Sequence, residues 1–195
     1  MKDSAQPAEI RIAGLAEQGV ILFAKMLAKA ITTVERRHAG MTQDVDLAGG
    51  NCSAQLLVAD RPVSYRQVCN PDFLVAMSQR AYNQFSATVK PDGLMLIEED
   101  LVCVSGMPER TRVYRIPALR FGEELGNRRL LNIVMLAAFG AVSGVAKRES
   151  LRTVVETSFP PAFRELDLEA YDKGYEYGLQ QLMAGPLIVP VCEPS

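Results

Sequence analysis

Two glycine-bearing turns are the places where this chain could hold a ligand. The first is Gly14-Leu15-Ala16-Glu17-Gln18-Gly19, between a β-prone run at Glu9–Ala13 (EIRIA) and the apolar-rich stretch VILFAKMLAKAITTVERR. Glycines at a strand–helix junction allow tight turning and close backbone approach, and free N–H groups at a helix start favour an anion. The same residues also suit a simple packing turn. Glu17 favours that second reading, because a first-turn carboxylate already satisfies the positive helix end and repels phosphate. The third glycine of a dinucleotide fingerprint is missing, and no acidic residue closes a second strand about 20 residues on. The second turn is Gly49-Gly50-Asn51. It reads either as a flexible turn lying against another surface or as an ordinary loop entering a strand. Asp44 and Asp46 upstream, with Ala48 directly before the glycines, make it acidic rather than anion-binding.

Other chemistry is sparse. The cysteines, Cys52, Cys69, Cys103 and Cys192, form no CxxC pair and sit among apolar residues. They read as buried, reduced thiols of a cytosolic protein. An iron–sulfur cluster needs about four thiolates, usually with close-spaced pairs, so no cluster of the chain's own is expected. A cysteine nucleophile wants a histidine, and the single one, His38, follows Glu35-Arg36-Arg37 in what reads as a polar helix exit. Glu98-Glu99-Asp100 reads as a solvated charge run at a strand end. Tyr171, Tyr175 and Tyr177 read as packing or interface groups, and Met135 and Phe139 as core. No Ser/His/Asp arrangement and no carboxylate pair stands out. Catalysis by this chain alone is not expected.

The elements that must position these turns alternate between strand and helix. Strands are predicted at Glu9–Ala13, Cys52–Ala59, Asp72–Met77, Leu94–Glu99 and Arg112–Ile116. Helices are predicted after Gly19, after Ser78, and over Leu119–Leu125, Leu130–Ser143, Lys147–Thr157 and Phe163–Met183. The polar segment 38–53 reads as a loop with one short strand. Asp60-Arg61-Pro62 reads as a turn returning through Val63–Tyr65, a hairpin that would make the sheet mixed. The expected fold is a three-layer α/β/α Rossmann-like domain around a mostly parallel sheet. It occupies residues 9–183, with an N-terminal extension over 1–8 and an extended, proline-rich tail over 184–195. The chain has 195 residues, enough for one domain with its own core. With 48% hydrophobic and 23% charged residues it is not a disordered chain. A net charge of −2 does not recommend nucleic acid. No apolar run is long enough to span a bilayer, and no secretory signal is read at the N-terminus.

Taken in order, several of these segments resemble the gamma subunit, or gamma domain, of the 2-oxoacid:ferredoxin (acceptor) oxidoreductases. RIAGLAEQGVILFAKMLAKA is similar to that family's strand, Gln-Gly turn and first helix. AGGNCSAQLLVADRPV resembles its Gly-Gly loop, strand and Asp-x-Pro turn. NPDFLVAMSQRAYNQF, KPDGLMLI and RIPALRFGEELGNRRLLNIVMLAAFGAVSG resemble its later strands, turns and apolar helix. The resemblance covers roughly residues 9 to 180. It implies a cytoplasmic, non-catalytic subunit of a larger enzyme that converts a 2-oxoacid and coenzyme A to acyl-CoA and CO2 while reducing an acceptor. It further implies that thiamine diphosphate, Mg2+ and [4Fe-4S] clusters sit on alpha, beta and delta-type partners. Ferredoxin or another acceptor would draw electrons through the complex, and coenzyme A would approach near the gamma part. Gly14, Gln18, Gly19, Gly49, Gly50 and Asn51 are the positions it points to for cofactor contact. Ala16-Glu17 departs from the family's Gly-x-Gly-Gly-Gln-Gly turn, and Ala48 stands where the second loop usually has Arg; both changes remove features that would hold a phosphate. A stand-alone nucleotide-binding module and a purely structural scaffold are the rival readings.

Overall fold

The computed structural model describes residues 6–46, 49–62, 64, 67–106 and 110–187. Six strands form one mixed sheet in the order β2-β3-β1-β4-β5-β6. They are β1 (Ala8–Leu15), β2 (His38–Asp46), β3 (Asn51–Ala59), β4 (Phe73–Ala76), β5 (Leu94–Glu98) and β6 (Arg112–Ile116). Strands β1, β4, β5 and β6 run parallel, whereas β3 is antiparallel to both β1 and β2. The helices are α1 (Val20–Lys29), α2 (Gln79–Phe85), α3 (Ala118–Glu124), α4 (Leu131–Ser143), α5 (Arg148–Ser158) and α6 (Arg164–Ala184). The expected three-layer α/β/α fold with a mostly parallel, mixed sheet is therefore present.

The strand period of two divides β1 between two cores. Ile10 and Ile12 join Leu56, Val75, Leu96 and Tyr114 beneath α1, α4 and α5. Ala13 points the other way and joins Leu74, Ala76, Met95, Ile97 and Val113 beneath Ala81 and Tyr82 of α2. The parallel strands are apolar on both faces because both faces are covered.

Helix α4 has twelve buried residues, Leu131 to Val142. Apolarity all round is what a helix enclosed between a sheet and other helices requires. Its main partner, α6, is polar yet packs closely by presenting Ala170, Gly174 and Gly178 at four-residue spacing. A Cβ on Gly174 would meet the Val134 carbonyl oxygen at 2.5 Å, and one on Gly178 the Ala138 Cα at 2.9 Å. Tyr171 is buried there and donates its hydroxyl to the Arg148 carbonyl at 2.8 Å, so it packs as expected.

Four expectations need correction. The segment expected as a loop with one short strand holds the nine-residue strand β2, paired along its whole length with β3. As an edge strand half open to water it carries Thr42, Gln43, Asp44 and Asp46, so no apolar alternation announced it. The hairpin expected at Cys52–Tyr65 lies upstream instead: β3 folds back on β2, and its other neighbour is β1. Ser64 is outside any strand, and Val63 and Tyr65 lie outside the described residues. Glu98 is not solvated but fully buried. Its carboxylate accepts from the N–H groups of Asp100 (2.8 Å), Leu101 (2.7 Å) and Leu119 (3.0 Å), tying the end of β5 to the start of α3. Burial pushes its pKa up despite these three bonds. Only Cys52 fits the expectation of buried thiols: Cys69 and Cys103 are exposed, and Cys192 lies outside the described residues.

His38 is exposed at the start of β2, and Glu99 and Asp100 pair with Arg120 at 2.8 and 2.9 Å. Beyond α6 the chain turns back, and the Leu187 N–H donates to the Val113 carbonyl at 3.0 Å on the outer edge of β6.

Candidate functional site

Both glycine turns lie at one end of the sheet, where the carboxyl ends of β1 and β4 meet the β2–β3 turn. Ligands of open α/β sheets bind outside the carboxyl ends of the strands. Register places Leu15 beside Asn51 and Gly14 beside Cys52, so the two turns adjoin. A direct bond joins them: the Ala16 N–H donates to the Gly50 carbonyl at 3.0 Å.

Gln18 ties the first turn down. Gln18 Oε1 accepts from the Leu15 N–H at 2.7 Å, and Gln18 Nε2 donates to the Met77 carbonyl at 2.7 Å. Its carboxamide thus bridges the ends of β1 and β4. Gly14 makes room for it, since a Cβ there would stand 2.6 Å from Gln18 Oε1 and 3.0 Å from Met77 Cβ. Gly19 has φ +73° and enters α1; a Cβ there would meet the side-chain nitrogen of buried Asn132 at 2.5 Å. The start of α1 is therefore closed by α4. Glu17 is exposed on the turn.

The second turn is held from outside. Asp46 Oδ1 accepts from the Gly49 N–H at 2.9 Å. Arg80, in the first turn of α2, donates from Nη1 to the Gly49 carbonyl at 3.2 Å. With its oxygen toward the guanidinium, the Asn51 carboxamide accepts from Arg80 Nε at 2.7 Å and Nη2 at 2.9 Å. Asp46 Oδ2 lies 3.8 Å from Arg80 Nη2. Gly50 has φ +67°, and nothing lies within 4 Å of where its Cβ would be.

Between α2 and the antiparallel strands is a cleft of about 710 Å³, within the range of ligand sites. Its floor is a set of cross-strand rows, Arg11–Gln55, Ala13–Ser53–Asp44 and Asn51–Asp46; Arg80, Asn83 and Gln84 of α2 form the wall. Arg11 is buried, its guanidinium 4.4 Å from the centre of the Phe85 ring, and it donates to the Val68 carbonyl. Gln55 Oε1 accepts from the Val68 N–H at 2.8 Å, so the two neighbours hold both backbone groups of one residue, Val68. Cys52 borders the cleft; burial, and then the charge of Asp44, push its thiol pKa up and keep it protonated.

Of the residues expected at the site, Gly14, Gln18, Gly49, Gly50 and Asn51 come together around this junction, with Gly14 and Asn51 lining the cleft. Gly19 stands apart, against Asn132. Ala48 lies outside the described residues. Arg80 and Arg11 were not expected. Arg80 reaches partners about 30 positions away, and no local pattern announces such a contact. Among the described residues no three His, Cys, Asp or Glu side chains cluster to hold a metal ion, and no helix is long and apolar enough to cross a membrane.

A family model described as pyruvate ferredoxin/flavodoxin oxidoreductase matches residues 9–177. The chain is 34% identical over 172 residues to the 2-oxoglutarate synthase subunit KorC of Methanocaldococcus jannaschii, covering 86% of this chain and 92% of that protein. It is 30% identical over 173 residues to the pyruvate synthase subunit PorC of Methanothermobacter marburgensis, covering 86% and 96%. The crystal structure of a keto/oxoacid ferredoxin oxidoreductase gamma subunit from Geobacter sulfurreducens superposes with a TM-score of 0.82 at 29% identity, covering 91% of this chain and 99% of that one. The fold, the ordered motifs and these likenesses agree: the chain belongs to the pyruvate ferredoxin/flavodoxin oxidoreductase family, as a gamma subunit of the 2-oxoacid:ferredoxin oxidoreductases.

Proposed function

We propose that this chain completes a multi-subunit 2-oxoacid:acceptor oxidoreductase without supplying reacting groups, and that coenzyme A approaches the assembly along the Gly49–Asn51 turn and the cleft beside it. The assembly would convert a 2-oxoacid and coenzyme A to acyl-CoA and CO2, passing two electrons to ferredoxin or another acceptor. One observation carries the reading: β1, the β2–β3 turn and α2 converge on a cleft at the carboxyl end of β1, and the Gly49–Asn51 turn borders it through Asn51.

The residues fit a ligand of this kind. Gly50, with no Cβ and a positive φ, lets a ligand approach the backbone closely. Ser53 and the carboxamides of Gln55, Gln67, Asn83 and Gln84 border the cleft and suit an amide-bearing chain. The described residues offer no ligand set for an iron–sulfur cluster or Mg2+. By likeness to the family, we place thiamine diphosphate, Mg2+ and [4Fe-4S] clusters on alpha, beta and delta-type partners in the cytoplasm, where they would supply the carbanion and one-electron chemistry.

Anaerobic affinity purification of the tagged chain from its own host tests this. Co-elution of thiamine-binding and iron–sulfur subunits is the expected result, followed by coenzyme A-dependent acceptor reduction by that complex. 2-Oxoglutarate and pyruvate are the first substrates to assay, since the relatives carry those names. Elution of the chain alone, as a monomer or homodimer, overturns the reading. So would decarboxylation of a 2-oxoacid by the isolated chain.

A further inference from the structure

Resting on the coenzyme A reading above, we infer that Arg80 is the positioning residue that presents the Gly49–Asn51 turn to the coenzyme. A Gly-Gly turn has no side chains with which to order itself, and glycine loses more backbone freedom than any other residue on ordering. Here the order is imposed from α2. One guanidinium faces the turn on both sides of Gly50: it donates to the Gly49 carbonyl at 3.2 Å and, with the Asn51 carboxamide oriented oxygen-first toward it, to that oxygen at 2.7 and 2.9 Å. Asp46 lies 3.8 Å from the same group and accepts from the Gly49 N–H, so it braces the arginine and the turn together.

The geometry demands each member. A Cβ at Gly49 would overlap Asp46 Oδ2 and stand 3.0 and 3.1 Å from the two Arg80 terminal nitrogens. A planar fork with several N–H donors spans two acceptors at once, which a lysine ammonium on a flexible stem does not reproduce. The arginine is also mostly exposed, so its apolar stem adds little to the core. Its effect falls on the turn, and through Ala16, which donates to Gly50, on the neighbouring glycine turn.

The test uses the intact complex carrying Arg80→Ala or Arg80→Lys. Three quantities are read: hydrogen exchange of the Ala16 amide and of residues 49–51, the KM for coenzyme A, and kcat. Native mass confirms subunit content. The expected result for Arg80→Ala is faster exchange in those segments with KM for coenzyme A up about tenfold and kcat within about twofold. Arg80→Lys should recover only part of the loss, and added ethylguanidinium should lower KM in the Arg80→Ala complex alone. Unchanged exchange at 16 and 49–51 in either variant overturns the positioning role. Faster exchange with an unchanged KM leaves the latch standing and overturns the coenzyme A reading on which it rests. Arg80→Lys replaces Arg80→Ala in every comparison if the alanine variant fails to assemble.

Discussion

The two glycine turns adjoin, with the Ala16 N–H bonded to the Gly50 carbonyl, but are built in opposite ways. The first, from Gly14 to Gly19, is closed: Gln18 satisfies Leu15 and Met77, and Asn132 fills the space over Gly19. The second, from Gly49 to Asn51, is gripped from outside by Arg80 and Asp46 and leaves Gly50 facing open space. A turn tied down by Gln18 and packed against Asn132 contributes to stability; a turn held at its rim leaves backbone exposed. The glycines of the first allow close packing, and Gly50 stands open; on the coenzyme A proposal that opening is where the ligand would pass. This division separates effects on folding from effects on coenzyme A.

The largest effect on stability is expected at Gly19. Alanine there combines a left-handed backbone with a collision against buried Asn132. The conformational penalty and the overpacking together should cost about 3 kcal/mol in denaturant unfolding. A loss below about 1 kcal/mol would mean that Asn132 moves aside easily, and the start of α1 would rejoin the open surface.

Gln18→Leu comes next. It leaves the Leu15 N–H and the Met77 carbonyl without their partners in a half-buried place. The loss should be about 2 kcal/mol, read by urea unfolding, with little change in the KM for coenzyme A. A large KM change with unaltered stability would instead assign Gln18 to ligand contact and erase the distinction between the turns.

Much of this was legible in the sequence, for physical reasons that also mark where legibility ends. Phe73–Ala76 and Leu94–Glu98 are apolar on both faces because both faces are covered, so they announced themselves. Helix α4, apolar all round, did the same. Strand β2 did not, because an edge strand in water needs no apolar alternation, and the mixed character of the sheet was placed on the wrong side of β3. Glu98 reads like its neighbours Glu99 and Asp100; only the three N–H groups converging on it show why it is buried. At the site, turn chemistry marked the glycines and Asn51. The roles of Gln18 and Arg80 depend on partners 59 and 31 positions away, and such contacts leave no periodic trace.

The smallest stability change, and the one that best sharpens the contrast, is expected from Gly50→Ala. The added methyl meets nothing within 4 Å, so only the left-handed backbone at φ +67° resists it. That should cost about 1 kcal/mol, one third of the effect at Gly19. If coenzyme A passes against Gly50 as proposed, the methyl would obstruct it, so in the assembled enzyme the KM for coenzyme A should rise while the KM for the 2-oxoacid holds. Gly19→Ala and Gly50→Ala then form a crossed pair: the first mainly moves unfolding and spares coenzyme A, the second mainly moves coenzyme A at a smaller cost in stability. Steady-state kinetics and urea unfolding on both variants read the crossing directly. If Gly50→Ala leaves the KM for coenzyme A unchanged, the open side of this turn faces solvent or another subunit, and the cleft has a different occupant.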